Sequence, residues 1–439
     1  MSFPKYPAYK DSEVEWIGEI PVGWNLLNGR RLFADKKISA QSGDEQLSAT
    51  QKYGVIPQKD FMKNEDQKVT LAISGIDNFR HVDEGDFVIS LRSFQGGIEY
   101  SYYKGCVSPA YTVLCRKNKI NDIFWSYLFK SRLFIDEINA SSEGIRDGKT
   151  IRYEQFGKIA FAIPPLPEQQ AIASFLDREC GKIDALIAEQ ERLIALLAEK
   201  RQAVISHAVT KGLNPNAPMK DSGIPWIGMV PEGWEILSLN KVVRNFVDYR
   251  GVTPNKVESG IPLITASCIK HGRIDHSIDP VFITEKEYNR RMTRGFPRVG
   301  DVILTTEAPL GEVAIIEDAL ISPGQRMILF KLDENMSSFY MRAYYLSDIG
   351  RQELRSRASG STASGIRADR LRASAIPVPP LNEQKEICAY IDRKTSAFES
   401  LEQQIRYELN LLKERRAALI STAVTGKIDV RAQSKAIAA

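Results

Sequence analysis

The chain is written twice. Residues 11–24, DSEVEWIGEIPVGW, return as 221–234, DSGIPWIGMVPEGW, with eight of the fourteen letters the same. PPLPEQ at 164–169 returns as PPLNEQ at 379–384, an offset of 215. At that offset, 168–210 and 383–425 agree without a gap at 16 of 43 positions. Ile151-Arg152 also returns as Ile366-Arg367, and Gly85-Asp86 as Gly300-Asp301. Convergent helix composition does not reproduce Trp-Ile-Gly or Pro-Pro-Leu-x-Glu-Gln. A period of about 210 residues is too long for a stacked solenoid, so each copy is a domain with an appendage.

The appendage is a helix. Pro167 sits where a first-turn proline is tolerated, and Glu168 where a carboxylate favours the positive helix end. Leu176, Ile183, Gln190, Leu197 and Val204 then recur every seven residues, with Leu186 and Leu193 expected in the interleaved places. The second copy repeats this with Ile391, Phe398, Ile405, Leu412 and Leu419, and with Leu401 interleaved. A seven-residue period held for about five heptads predicts coiled-coil packing. At ~1.5 Å per residue, Glu168 to Thr210 spans about 64 Å. A narrow seam leaves so long a helix unstable alone, and its nearest equal is the other copy. Parallel and antiparallel pairing both remain open at this point.

The segments between the helices share a kind but not letters. Residues 86–91 and 301–305, then 111–115 and 326–330, read as β-strands, and 122–139 and 338–357 as short helices. The expected class is therefore α/β (α+β): domain 1–163, long helix 164–212, domain 213–378, long helix 379–430, and a flexible tail 431–439. Length and composition agree. At ~150 residues per domain, 439 residues suit about three compact pieces, and 43% hydrophobic with 26% charged residues is ordinary globular matter. Five cysteines without a CxxC pair make no disulfide framework. No apolar run nears the ~20 residues that span a bilayer, and the first residues carry no signal core. A protein of the cytoplasm, without a membrane partner, is expected.

Catalytic motifs are not evident. Gly144–Thr150 resembles a phosphate loop but has three residues between its glycines where four are needed. Cys268, His271 and His276 offer three ligand types without the fourth that structural zinc takes, so no metal is expected. Asp66–Lys68 is a carboxylate–lysine triplet of the kind that occurs by accident. Charge is more telling. The net value is only +4, yet 351–372 holds six arginines against Glu353 and Asp369, around a hydroxyl-rich segment 359–365. Such a loop can follow a phosphate backbone, and arginine can read guanine. The candidate DNA contacts are Arg146, Lys149 and Arg152 in the first copy. In the second they are Arg290, Arg291, Arg294, Arg355, Arg357, Arg367 and Arg370.

This layout resembles the specificity subunit of type I restriction–modification enzymes. Tyr9–Ser12, Trp16–Gly18, Pro21 and Trp24 with their copy at Lys220–Trp234 carry the resemblance, together with both PPLxEQ turns. The helix ends, Ile205–Thr210 and Ile420–Thr425, complete it. It covers nearly the whole chain, with both copies present. It implies a non-catalytic subunit whose two target recognition domains each contact one half of a split, asymmetric sequence in double-stranded DNA. It also implies an antiparallel coiled coil that docks two methyltransferase subunits, joined by motor–nuclease subunits. S-adenosylmethionine, ATP and Mg are expected on those partners, with no cofactor on this chain. The other readings open to the sequence are a fused bifunctional DNA-modification enzyme and a purely structural coiled-coil scaffold.

Overall fold

The computed structural model describes residues 3–65, 76–141, 151–250, 253–359 and 365–432. The chain divides into two units, Met1–Gln190 with Tyr407–Ala439, and Glu191–Arg406. In unit 1 a four-stranded antiparallel sheet runs in the order Phe33–Asp35, Thr112–Arg116, Phe87–Ile89, Glu99–Tyr100. In unit 2 the sheet is Val243–Asp248, Met327–Leu332, Val302–Thr306, Leu310–Ile315, in the same topology. The strand-like runs read from the sequence supply the two central strands of each sheet. The helical patches form as pairs, Asp122–Phe129 with Arg132–Ser141, and Ser338–Leu346 with Asp348–Arg357. The second pair is split by Ser347, whose hydroxyl caps Gly350 N and starts a new helix.

The repeated letters mark the joints that both units need. Gly85 and Gly300 take φ of +92° and +91°, a region open to glycine at little cost. The aspartate that follows caps the same turn: Asp86 accepts from Asp83 N and Lys36 Nζ, and Asp301 from Arg298 N and Lys331 Nζ. Each buried carboxylate is thereby paired, which is what makes its burial tolerable.

The cores are filled differently. Unit 1 stacks Phe33, Phe87, Trp125, Phe129, Phe134, Phe156 and Phe161 edge-on and tilted. Unit 2 uses Tyr340, Tyr344 and Tyr345. Buried tyrosines need partners, and Tyr340 donates to Val209 O and Pro377 O, while Tyr344 donates to Ala375 O. One architecture thus tolerates two chemistries, because volume and patterning set a fold more than letters do.

The long helices run Leu166–Lys211 and Leu381–Val424. Each ends at a glycine with φ +72°, Gly212 and Gly426, the left-handed stop that closes helices. In unit 1 the start of the first helix (Ile172, Phe175, Leu176) shares a core with the end of the second (Ile420, Ala423, Val424). In unit 2 the end of the first (Ile205, Ala208, Val209) shares one with the start of the second (Ile387, Cys388, Ile391). The pairing is antiparallel. Arg416 forks onto Asp184 at 2.7 and 3.1 Å, and Arg201 meets Glu399 at 2.6 Å, in the same register.

The seam differs from expectation in its phase. Leu176, Ile183, Leu197, Ile391 and Ile405 are buried, and Val204, Phe398, Leu412 and Leu419 are half-buried. Leu186, Leu193 and Leu401, expected in the interleaved places, are instead exposed. Their places are taken by Ile187, Ile194 and Glu402, one residue on. Both i+3 and i+4 are neighbours on a helix, so in the first helix, with apolar residues at both spacings, the facing helix makes the choice, and in the second it turns Leu401 out although Glu402 takes its place.

Candidate DNA-reading domains and their mounting

The two repeated motifs lock onto each other. In unit 1, Trp24 Nε1 donates to Glu168 Oε1 at 2.9 Å, and Tyr6 Oη donates to the same oxygen at 2.5 Å. In unit 2, Trp234 Nε1 donates to Glu383 Oε2 at 3.0 Å. Both tryptophans are 1% exposed, so the indole N–H has no recourse to water. The neighbouring glutamine ties the helix start to the domain. Gln169 donates to Pro164 O and accepts from Asn121 N, while Gln384 donates to Pro379 O and accepts from Ser337 N. The helix-end glycines complete the joint. A Cβ on Gly426 would lie 2.6 Å from Pro21 Cδ, and one on Gly212 would lie 3.2 Å from the Trp234 ring. Trp-Ile-Gly…Gly-Trp, Pro-Pro-Leu-x-Glu-Gln and the helix ends Thr210-Lys211-Gly212 and Thr425-Gly426-Lys427 are therefore one mounting that seats a domain on paired helices.

The candidate arginines fare unevenly. Arg146 and Lys149, with the rest of Gly144–Thr150, lie outside the described residues, as does Asp66–Lys68. Arg152 and Arg367 are exposed, each beside a buried isoleucine and opening a short helix. Arg355 is exposed, and so is Arg370, which reaches Arg357 O at 3.5 Å. The remainder have partners within their unit. Arg291 donates to Ser322 Oγ and Pro323 O, and Arg294 to Asp248 O. Arg290 pairs with Glu287 at 2.6 Å. Arg357 pairs with Glu353, which is fully buried and also accepts from Trp226 Nε1 and Ala375 N. Removing that arginine would leave a buried carboxylate short of a countercharge.

Other reactive groups are packed away. Cys268 is buried and donates to Ile278 O, and no group of His, Cys, Asp and Glu among the described residues is placed to hold a metal. Burial pushes the thiols of Cys106 and Cys180 up to about 11 and that of Cys388 to about 12, the opposite of a nucleophilic cysteine. No helix among the described residues is long and apolar enough to cross a membrane.

Each domain carries a cleft, lined in part by polar side chains, that no motif in the sequence marks. Unit 1 has one of about 700 Å³ whose lining includes Ser48, Thr50, Lys52, Arg92, Gln95 and Tyr111. Unit 2 has one of about 400 Å³ whose lining includes Lys256, Thr265, Ser267, Gln325 and Arg326. Their walls come from segments some sixty residues apart in the chain, which no local motif announces.

Comparison with known proteins agrees with this layout. The family model of the type I restriction modification DNA specificity domain matches residues 28–194 and 231–411. The type I restriction enzyme MjaVIII specificity subunit of Methanocaldococcus jannaschii is 24% identical, over 80% of this chain and 80% of its own. A chain from work on complex assembly and conformational transition of the type I R-M system has a TM-score of 0.65 at 17% identity, covering 92% of this chain and 98% of that one. The HsdS subunit from Thermoanaerobacter tengcongensis has a TM-score of 0.51 at 16% identity, covering 93% and 98%. With a family match in both copies, the chain belongs to the DNA specificity subunits of type I restriction–modification systems.

Proposed function

We propose that the chain reads a two-part, asymmetric DNA target, one half with each domain, and directs partner subunits to it while performing no chemistry itself. The observation that carries this reading is the pair of domains with one sheet order and one mounting, but different cores and clefts. A symmetric target would need identical readers, and a scaffold would need no readers at all. The partners we infer are two methyltransferase subunits, which would bind S-adenosylmethionine and methylate adenine, and motor–nuclease subunits using ATP and Mg.

Exposed apolar residues on the long helices support two docking places. Unit 1 leaves Leu186, Tyr407 and Leu411 exposed, and unit 2 leaves Leu193, Leu196 and Leu401. Leu186 and Leu401 are repeat equivalents, as are Leu196 and Leu411. Apolar residues on a polar helix face are what a partner helix covers.

Exchange of residues 25–160 for those of another family member tests the reading. Methylation sequencing of cells expressing the chimera with its methyltransferase is expected to show one altered half-site and one unaltered. A change in both halves would refute independent reading. Methylation by the purified chain alone would refute the division of labour.

A further inference from the structure

Each domain's cleft lies between two stretches of its own chain, within 46–65 and 79–111 in unit 1 and within 253–267 and 308–326 in unit 2. Their linings share related letters: Ser48-Ala49-Thr50 in unit 1 and Thr265-Ala266-Ser267 in unit 2. Val107-Ser108-Pro109 likewise matches Ile321-Ser322-Pro323, and Ser108 lines the first cleft while Gly324, one residue past this run, lines the second. Beyond these letters the lining side chains diverge. The first cleft presents Arg92 and Gln95 from the turn after the strand Phe87–Ile89, both exposed. The second presents Gln325 and Arg326, leading into the strand Met327–Leu332. A shared frame with exchanged donors and acceptors is what two readers of different sequences require.

The charges point to base edges more than to phosphate. Lys52 is paired with Glu65 at 3.0 Å and Arg326 with Glu307 at 3.2 Å, so neither cleft is an unopposed cationic surface. The phosphate-binding type of residue lies alongside. Glu307 forms a backbone bridge with Gly365, which sets the segment bearing Arg367 and Arg370 next to the second cleft. Gln325 supplies a separate sign. Its amide nitrogen is buried without a hydrogen-bond partner among the described residues, an arrangement proteins avoid. Turning that amide toward a base acceptor would satisfy it. Arginine pairs bidentately with guanine O6 and N7, and glutamine with adenine N6 and N7.

The geometry points to these clefts as the base-reading surfaces: Arg92 and Gln95 determine part of one half-site, and Gln325 and Arg326 part of the other. This rests on the two-half reading proposed above.

Two double variants, Arg92→Ala with Gln95→Ala and Gln325→Ala with Arg326→Ala, test it in the complex with the methyltransferase. Methylation sequencing and binding to duplexes randomised in each half-site, at one fixed salt concentration, are the readouts. Lys286→Ala, exposed and outside both clefts, is the control. Each double variant is expected to lose discrimination at one or two base pairs of one half-site only. The expected loss is about 5- to 150-fold per base pair, equivalent to ~1–3 kcal/mol. Unchanged discrimination in both halves would overturn the inference. So would a uniform loss of affinity with the base preference intact, the mark of phosphate contacts. If a double variant melts early, Arg92→Lys with Gln95→Asn, or Gln325→Asn with Arg326→Lys, which keep the charge and the amide but remove the arginine fork and shorten the amide's reach, takes its place under the same criteria. A wild-type complex without a two-part target would instead refute the proposed function, before any variant is compared.

Discussion

Glu168→Ala removes one acceptor from two donors at once. Trp24 Nε1 and Tyr6 Oη both point at Glu168 Oε1, and both side chains are buried, at 1% and 6% exposure. Burial, then the Glu168 carboxylate itself, pushes Tyr6 above its ordinary value, so the hydroxyl keeps its proton and remains a donor. Hydrogen bonds to a charged group contribute about 1.5–3 kcal/mol each. Glu168 is only half-buried, so water recovers part of the loss and the low end applies, about 3 kcal/mol for the pair. In unit 2 the equivalent Glu383 accepts from Trp234, with Asn216 at the place that alignment of the two motifs gives Tyr6. Glu383→Ala is therefore expected to cost about 1.5 kcal/mol. For units of this size, roughly 2–4 °C of midpoint accompanies each kcal/mol. The expected falls are about 6–12 °C for Glu168→Ala and about 3–6 °C for Glu383→Ala. Differential scanning calorimetry, with hydrogen exchange to assign each transition to its unit, measures both. Equal falls, or a larger one for Glu383→Ala, would show that the tyrosine adds nothing and that the mounting is not held as described.

Light scattering of the reconstituted complex is expected to give two methyltransferase subunits per chain, and a fully active one-to-one complex would count against two docking places. Deleting the heptad 190–196 together with 404–410, which the Asp184–Arg416 and Arg201–Glu399 register sets opposite, removes about 10.5 Å from each helix at ~1.5 Å per residue. If the helices act as a ruler, methylation sequencing will show a spacer shorter by about three base pairs at ~3.4 Å each with both half-sites kept; an active enzyme with the old spacer excludes the ruler. Lys36, followed by His81, holds Asp83 below the usual carboxylate range. A lowered folded value contributes stability that is present above the unfolded value near 4 and is lost as pH falls through the folded one. Acid titration of thermal stability should therefore show unit 1 weakening below about pH 4, and Lys36→Met should flatten that limb.

Much of the architecture was legible because repetition and periodicity are properties of the letters themselves. Aligning the chain with itself separates what both copies need from what each uses alone. The shared residues, Trp24 and Trp234, Glu168 and Glu383, Gly85-Asp86 and Gly300-Asp301, prove to be the mounting and its turns. The seven-residue period announced two long helices, and short apolar runs announced the central strands, since burial on one face of an element imposes its period. Tertiary structure decided the rest. The helices' antiparallel sense and the phase of their seam depended on which faces met, so Leu186, Leu193 and Leu401 went outward and Ile187 and Ile194 inward. The arginines were indistinguishable as letters. Arg291 and Arg357 were claimed by Pro323 O and by Glu353, while Arg355 and Arg367 stayed exposed, because a charge answers to whatever the fold sets beside it. The clefts join residues such as Thr50 and Tyr111, or Lys256 and Arg326, that only the folded chain brings together. Repetition in the letters sets how many domains there are and what they stand on; which side chains face outward is set by the fold, because that depends on neighbours distant in the chain.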